Sequence, residues 1–236
     1  MTLSSEEIAA RREEVQGRIE RAAERRGRDP SAITLLAATK SQSLETVRRA
    51  AHAGLTHFGE NRVAEGAAKI EAIRRELPGL VWKLIGPLQT NKAKAALQYF
   101  SVVESLDRER LAARLEGLLA SEGRRMPVLL EVNLAGEATK SGVAPEAALP
   151  LASAIFALPH LDLRGVMSVP PYSEEPERAR PYFRRLVELC ERMAERFGRP
   201  FPEISMGMSH DFEIAVEEGA TEVRIGTALF GPRGTA

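Results

Sequence analysis

One cysteine stands among 236 residues, so neither an intrachain disulfide nor a cysteine-built metal site can form. That residue, Cys190, falls in a helical run from Phe183 to Phe197 and reads as a small buried hydrophobe. There is no excess of either charge. The 33 Lys+Arg balance 33 Asp+Glu, so no global field favours nucleic acid or an anionic membrane. Recurrent arginine pairs, such as Arg25-Arg26 and Arg48-Arg49, stand close to glutamates and read as solvated faces with i,i+4 ion pairs. No apolar run approaches the roughly 18 residues that span a bilayer. The segment Met1 to Glu7 lacks the basic-then-apolar pattern of a signal peptide. The expected compartment is the cytoplasm. The four histidines (His52, His57, His160, His210) show no metal-ligand spacing and read as structural. Lysine is scarce too. Only Lys40, Lys69, Lys83, Lys92, Lys94 and Lys140 occur among 33 basic residues. Where arginine is so preferred, a retained lysine is a better candidate for amine chemistry, which arginine cannot do.

What is present is alternation. Ser4 and Glu7 form a capping box at the start of a helix, along which Ile8, Val15, Ile19 and Ala22 repeat at helical spacing. Apolar strand-like runs follow at 33–39, 56–59, 81–85, 101–106, 127–134, 162–169, 203–208 and 221–225. Helical patterns near 44–53, 61–76, 89–98, 108–121, 145–157, 176–197 and 211–218 separate them, and a short segment, 227–230, follows the last strand. Eight such units indicate parallel β/α construction. In a chain of this length they predict an α/β fold: a single (β/α)₈ TIM barrel with an extra N-terminal helix, one domain over 1–236. Its strands are expected to be apolar on both faces. An open doubly wound sheet is the alternative. That fold more often carries a glycine-rich turn after its first strand, and Ala38-Thr39-Lys40-Ser41-Gln42 has no glycine.

Barrel chemistry belongs at the C-terminal ends of strands. The polar residues there are Lys40, Glu60-Asn61, Gln89, Glu131 with Asn133, Ser168, Ser209, and Arg224 with Gly226-Thr227. The last two barrel turns commonly bind phosphate, where backbone N–H groups and hydroxyls converge at a positive helix end. Ser209 and Thr227 offer hydroxyls, and Gly226 lets backbone approach closely. The alternative for Ser209 is a plain N-cap of the helix at Asp211. Arg224 alternates with Val223 and Ile225. Pointing inward it would be a buried charge needing a carboxylate, or functionally a pyridine nitrogen. Lys40 closes the first apolar run, where desolvation would favour a neutral, nucleophilic amine. Lys83, Lys92 and Lys140 are its competitors. Together these residues suggest a phosphorylated aldehyde held as a Schiff base.

The chain resembles the pyridoxal-phosphate homeostasis protein family, the YggS type. The matching stretches are Leu36-Ala37-Ala38-Thr39-Lys40, Phe58-Gly59-Glu60-Asn61-Arg62, Leu84 through Lys92, Val132-Asn133 with Glu137 and Lys140-Ser141-Gly142, Gly165-Val166-Met167, Ser205 through Asp211, and Val223-Arg224-Ile225-Gly226-Thr227 with Phe230-Gly231. The resemblance implies a barrel like the N-terminal domain of alanine racemase, the fold-type III arrangement. By position, Lys40 matches the Schiff-base lysine. Ser209, Gly226 and Thr227 match phosphate contacts, Arg224 the arginine at the pyridine nitrogen, and Asn61 and Met208 the pocket lining. The implied ligand is pyridoxal 5'-phosphate (PLP), covalent to Lys40. The implied role is vitamin B6 homeostasis: buffering and delivery of the vitamer, with PLP-dependent apoenzymes as recipients, by a monomer without strong catalytic activity. Two positions depart from the family pattern: Lys83 follows Trp82 where a histidine is common, and Ser41-Gln42-Ser43 follows Lys40 where a lysine and a proline are common.

Two other readings stay open. One is a PLP-dependent amino-acid racemase. That reaction resembles a two-base one with its second base on a separate β-domain, and the sequence ends at Ala236, a few residues past the eighth strand, so the carrier is the expectation. The other is a barrel enzyme acting on a phosphorylated metabolite without a cofactor, which leaves Lys40 without a role.

Overall fold

The computed structural model describes residues 3–137 and 140–232. Eight parallel strands close into a barrel in chain order. They are β1 (Thr34–Ala38), β2 (His57–Glu60), β3 (Val81–Leu84), β4 (Val102–Leu106), β5 (Met126–Glu131), β6 (Leu161–Met167), β7 (Glu203–Met208) and β8 (Glu222–Ile225). Each overlaps a predicted apolar run, with its ends shifted by up to three residues. The seam is the β1–β8 pair, in register from Thr34 opposite Glu222 to Ala37 opposite Ile225.

The helices are α1 (Ser5–Glu24), α2 (Leu44–His52), α3 (Val63–Ile73), α4 (Ala93–Tyr99), α5 (Glu109–Glu122), α6 (Pro145–Phe156), α7 (Arg180–Phe197), α8 (Phe212–Glu218) and the one-turn α9 (Thr227–Phe230). The predicted capping box is present. Glu7 N–H donates to Ser4 Oγ at 3.2 Å, and Ser4 N–H donates to Glu7 Oε2 at 2.7 Å. Among the described residues β8 is followed only by α9, too short to cover the seam. Helix α1 takes that place, packing against α2, α8 and α9 and burying Ile8, Val15, Ile19, Ala22 and Ala23. Arginines fasten it there, but not as the i,i+4 pairing predicts. Arg25 and Arg26 reach across to Glu217 and Glu218 of α8, where Arg180 and Arg184 of α7 join them. The in-helix pattern holds for Arg49 with Glu45, at 3.0 Å.

The barrel interior departs from expectation. The apolar runs suggest two apolar faces, yet Lys83, Glu104, Ser205, Glu222 and Arg224 are all buried on the strands. Lys83 Nζ lies 2.6 Å from Glu222, 3.4 Å from Glu104 and 3.7 Å from Glu203. Burying one such charge alone is prohibitive, so the ions must share partners. Pressure from the neighbouring carboxylates keeps Lys83 protonated; burial opposes this, but its pKa is raised. Cys190 is buried in α7 as expected, its Sγ 3.4 Å from the Phe201 carbonyl.

Candidate functional site

The C-terminal ends of the strands surround a cavity of about 370 Å³, within the range typical of small-molecule sites. Lys40, Asn61, Met208, Ser209, Arg224, Gly226 and Thr227 all line it. Ile85, His210 and Tyr172, which stand at strand ends or in the loop after β6 but were not among the candidate site residues, line it as well. Tyr172 belongs to the proline-rich loop after β6 and is 75% exposed, its ring 5.4 Å from that of His210 at the rim.

The last two barrel turns are tied together. Ser209 is not the N-cap of α8; Asp211 takes that position. The Ser209 hydroxyl instead accepts from the N–H groups of Gly226 and Ala228, each at 3.1 Å. It joins the β7 turn to the start of α9, so two backbone donors and a hydroxyl converge at one point of the cavity wall. Asp211 shapes the β7 turn by accepting the Met208 N–H at 2.7 Å. Burial raises the Asp211 pKa, against that hydrogen bond and the charge of Arg224.

Arg224 points into the barrel, and its partners are not carboxylates. Nη1 donates to Ser205 Oγ and Nη2 to the Ser168 carbonyl, both at 2.7 Å. Ser205 Oγ in turn lies 2.7 Å from Glu104 Oε2 and 3.0 Å from Glu222 Oε1. The guanidinium is therefore braced from below by the ionic layer. Glu104 is pushed up to about 8, by burial first and then by Glu222. Burial similarly raises Glu131 to about 7, with Asp107 adding to it. Charged residues recurring inside apolar runs, as in Val81-Trp82-Lys83-Leu84 and Val102-Val103-Glu104-Ser105-Leu106, were the available signal for this layer.

Lys40 follows β1 in a four-residue turn closed by the Gln42 N–H on the Thr39 carbonyl at 2.9 Å. Ser41, third in that turn, has φ +64°, the sole positive φ outside glycine among the described residues. A type II turn needs such a φ at its third residue, usually supplied by glycine. For serine it costs about 1–2 kcal/mol. On the neighbouring strand end, Asn61 is placed by Gly86. A Cβ at Gly86 would lie 2.3 Å from the Asn61 carbonyl oxygen, so only glycine lets the β2 and β3 ends approach this closely. Asn61 Oδ1 is buried and has no hydrogen-bond partner among the described residues.

The competing lysines stand elsewhere. Lys83 is held in the ionic layer and does not line the cavity. Lys140 pairs with Glu137 at 2.9 Å and donates to the Pro170 carbonyl at 3.2 Å. Lys92 is exposed, in a short 3₁₀ turn before α4.

Residues 15–234 match the family of alanine racemase N-terminal domains. A pyridoxal phosphate homeostasis protein of Aquifex aeolicus (strain VF5) is 45% identical over 216 residues, 92% of this chain and 94% of that protein. The chain belongs to the pyridoxal phosphate homeostasis protein family. Among solved structures of this family type, PipY of Synechococcus elongatus PCC7942, determined with PLP bound, is 34% identical with a TM-score of 0.80, covering 91% of this chain and 100% of that one. Alanine racemase from Corynebacterium glutamicum shares the fold at 18% identity and TM-score 0.70, covering 100% of this chain and 63% of the racemase. The family's barrel and this one are thus the same architecture. No described helix is long and apolar enough to cross a membrane.

Proposed function

We propose that this protein holds pyridoxal 5'-phosphate as a Schiff base on Lys40, and buffers and delivers the vitamer without strong catalytic activity of its own. The observation that carries the reading is convergence: one amine, one guanidinium and a two-turn hydroxyl and amide cradle line a single cavity. The relatives' names and the PLP-bound neighbour support the same ligand class. The residues also fit the group. Asn61 brings a buried amide oxygen with no hydrogen-bond partner among the described residues, and Gly226, on the cavity wall, has no side chain to keep a ligand from the backbone.

When bound, the vitamer supplies an aldehyde, a ring nitrogen and a phosphate. Lys40 is the amine for the first. Ser209 and Thr227 hold the phosphate through their hydroxyls, and Gly226, whose N–H already serves Ser209 Oγ, lets the phosphate come close to the backbone. Arg224 stands at the ring nitrogen. A guanidinium cannot give up its proton there, so it donates a hydrogen bond and keeps that nitrogen unprotonated. This weakens the ring as an electron sink, a feature that fits a store and a barrel racemase alike. Met208 and Asn61 complete the walls. The racemase alternative needs a second base facing Lys40. Beyond Lys40, the cavity's proton-accepting candidates are His210 and Tyr172, both at the exposed rim. The reading extends to one working domain over 1–236, a monomer in the cytoplasm, and apoenzymes as recipients.

The test is chemical. Borohydride reduction of the loaded, yellow protein followed by peptide mapping is expected to mark Lys40. A label confined to Lys83 or Lys140 would overturn the assignment. Racemase turnover in the ordinary enzyme range of roughly 1–10³ per second would overturn the carrier role.

A further inference from the structure

Behind the Lys40 turn lies a buried lysine that the binding reading does not use. Lys69, on α3, is 7% exposed. Its ammonium donates to the Thr39 carbonyl at 2.8 Å, to Glu60 Oε1 at 2.7 Å and to Glu65 Oε1 at 2.8 Å. An ammonium has three hydrogens, and all three are spent. Lys69 is therefore a fixed cation, not a competing nucleophile. Its acceptors grip both sides of Lys40. Glu60 Oε1 also accepts from the Thr39 hydroxyl at 2.7 Å. Glu65 Oε1 also accepts from the Ser41 N–H at 2.7 Å. Thr39 and Ser41 flank Lys40, and Ser41 is the residue in the left-handed conformation.

We propose that Lys69, acting with Glu60 and Glu65, is a positioning residue: it holds the 39–42 turn in its left-handed form and so aims the Lys40 amine at the aldehyde site. This rests on the reading that Lys40 bonds the vitamer. The bond formed joins Lys40 Nζ to the aldehyde carbon. The neutral amine gives up two hydrogens, the aldehyde oxygen leaves with them as water, and nothing is oxidised or reduced. Such an addition depends on the amine's approach, and the loss of fixed orientation slows it. Serine does not hold a positive φ unaided, so the turn needs an outside fastening. The strap supplies it from a helix that contributes nothing else to the cavity wall.

Removing Lys69 alone would leave Glu60 buried beside an empty place, so the test removes both ions, as Lys69→Met with Glu60→Gln. The full-length variant is first checked for a cooperative thermal transition. Lys40 labelling is then timed with pyridoxal 5'-phosphate, by borohydride quench and peptide mapping. We expect labelling to slow by roughly ten- to a hundredfold, the scale of a small misplacement of a reacting group. Adding Ser41→Gly, which accepts positive φ without strain, is expected to recover part of the rate. Wild-type speed in the folded double variant overturns the proposal. So does a slow variant that Ser41→Gly leaves unchanged, because the turn would then not be what was lost. If the double variant does not melt cooperatively, Glu65→Ala decides in its place; it removes a partly exposed acceptor shared by Lys69 and Ser41. Slower labelling supports the strap, and unchanged labelling overturns it. Wild-type protein labelled at a lysine other than 40 refutes the underlying binding reading instead, which is a different result seen in a different sample.

Discussion

Replacing Gly226 with alanine separates the ligand's demands from the fold's. A Cβ built there meets only the Ala38 carbonyl oxygen at 3.6 Å and the Ala38 Cβ at 3.8 Å, ordinary van der Waals contact. Gly226 has φ −113°, which an L-residue can adopt. The unloaded variant should therefore be as stable as wild type, or more so by about 0.4–1 kcal/mol through a less flexible unfolded chain. For a chain of this size that is a rise of roughly 1–4 °C in Tm. The loaded state differs. The new methyl stands beside the Ser209 and Thr227 hydroxyls, where a phosphate oxygen is proposed to sit, and would push it off one of them. Losing one charge-assisted hydrogen bond costs about 1.5–3 kcal/mol. That weakens vitamer retention by roughly 10- to 150-fold. Thermal melts of the ligand-free protein and equilibrium dialysis of the loaded one measure the two effects separately. Wild-type retention would place the phosphate away from this turn. A Tm drop of more than about 5 °C, over 1 kcal/mol at this size, would show that the cavity does not have the room inferred for it.

Two further outcomes test the frame around the site. Gly86→Ala should behave oppositely to Gly226→Ala: its Cβ would come within 2.3 to 2.8 Å of three Asn61 backbone atoms, so stability should fall by an overpacking cost of about 1–3 kcal/mol, read as a lower Tm, and retention should fall with it. A variant as stable as wild type would refute the close approach. Glu104, raised to about 8 by burial and Glu222, sits above its ordinary 4.5 in the unfolded chain. The native state then binds more protons between those values, so this group's stabilisation is complete below about pH 4.5 and lost as pH rises through 8. Burial also raises Glu131, to about 7, in the same direction. Urea unfolding should show stability falling from pH 5 to 8, and Glu104→Gln should flatten the fall; a slope that Glu104→Gln leaves unchanged would remove Glu104 from the account.

What could be read from the chain alone was what is local. The Ser4–Glu7 capping box needs only three residues of spacing, and the eight strands are contiguous apolar runs. The site residues were legible because strand ends share one rim in any barrel of this kind. Three things were not. The ionic layer was missed because single charges such as Lys83 and Glu104 were averaged into apolar runs, although their alternation marks the inward face. The Ser209 hydroxyl could as well have capped its own helix; its bonds to Gly226 and Ala228 depend on two turns meeting. The Lys69 strap joins α3 to the end of β1; its Glu65 limb is an i,i+4 pair within the helix, but its bonds to Thr39 and Glu60 cross between segments and no spacing announces them. Arg224 was expected to need a carboxylate or a ring nitrogen. It rests on a carbonyl and on a serine hydroxyl that reaches carboxylates one step further off.

Because the barrel closes between its first and last strands, the proposed amine and its phosphate cradle lie on opposite sides of one seam. Lys40 leaves the ribosome well before Ser209 to Thr227. At roughly 5–20 residues per second, about 10–35 s of synthesis separate them. Under the proposed reading, a nascent chain lacks the phosphate cradle during that interval, so firm retention of the vitamer would report that both sides of the seam have come together.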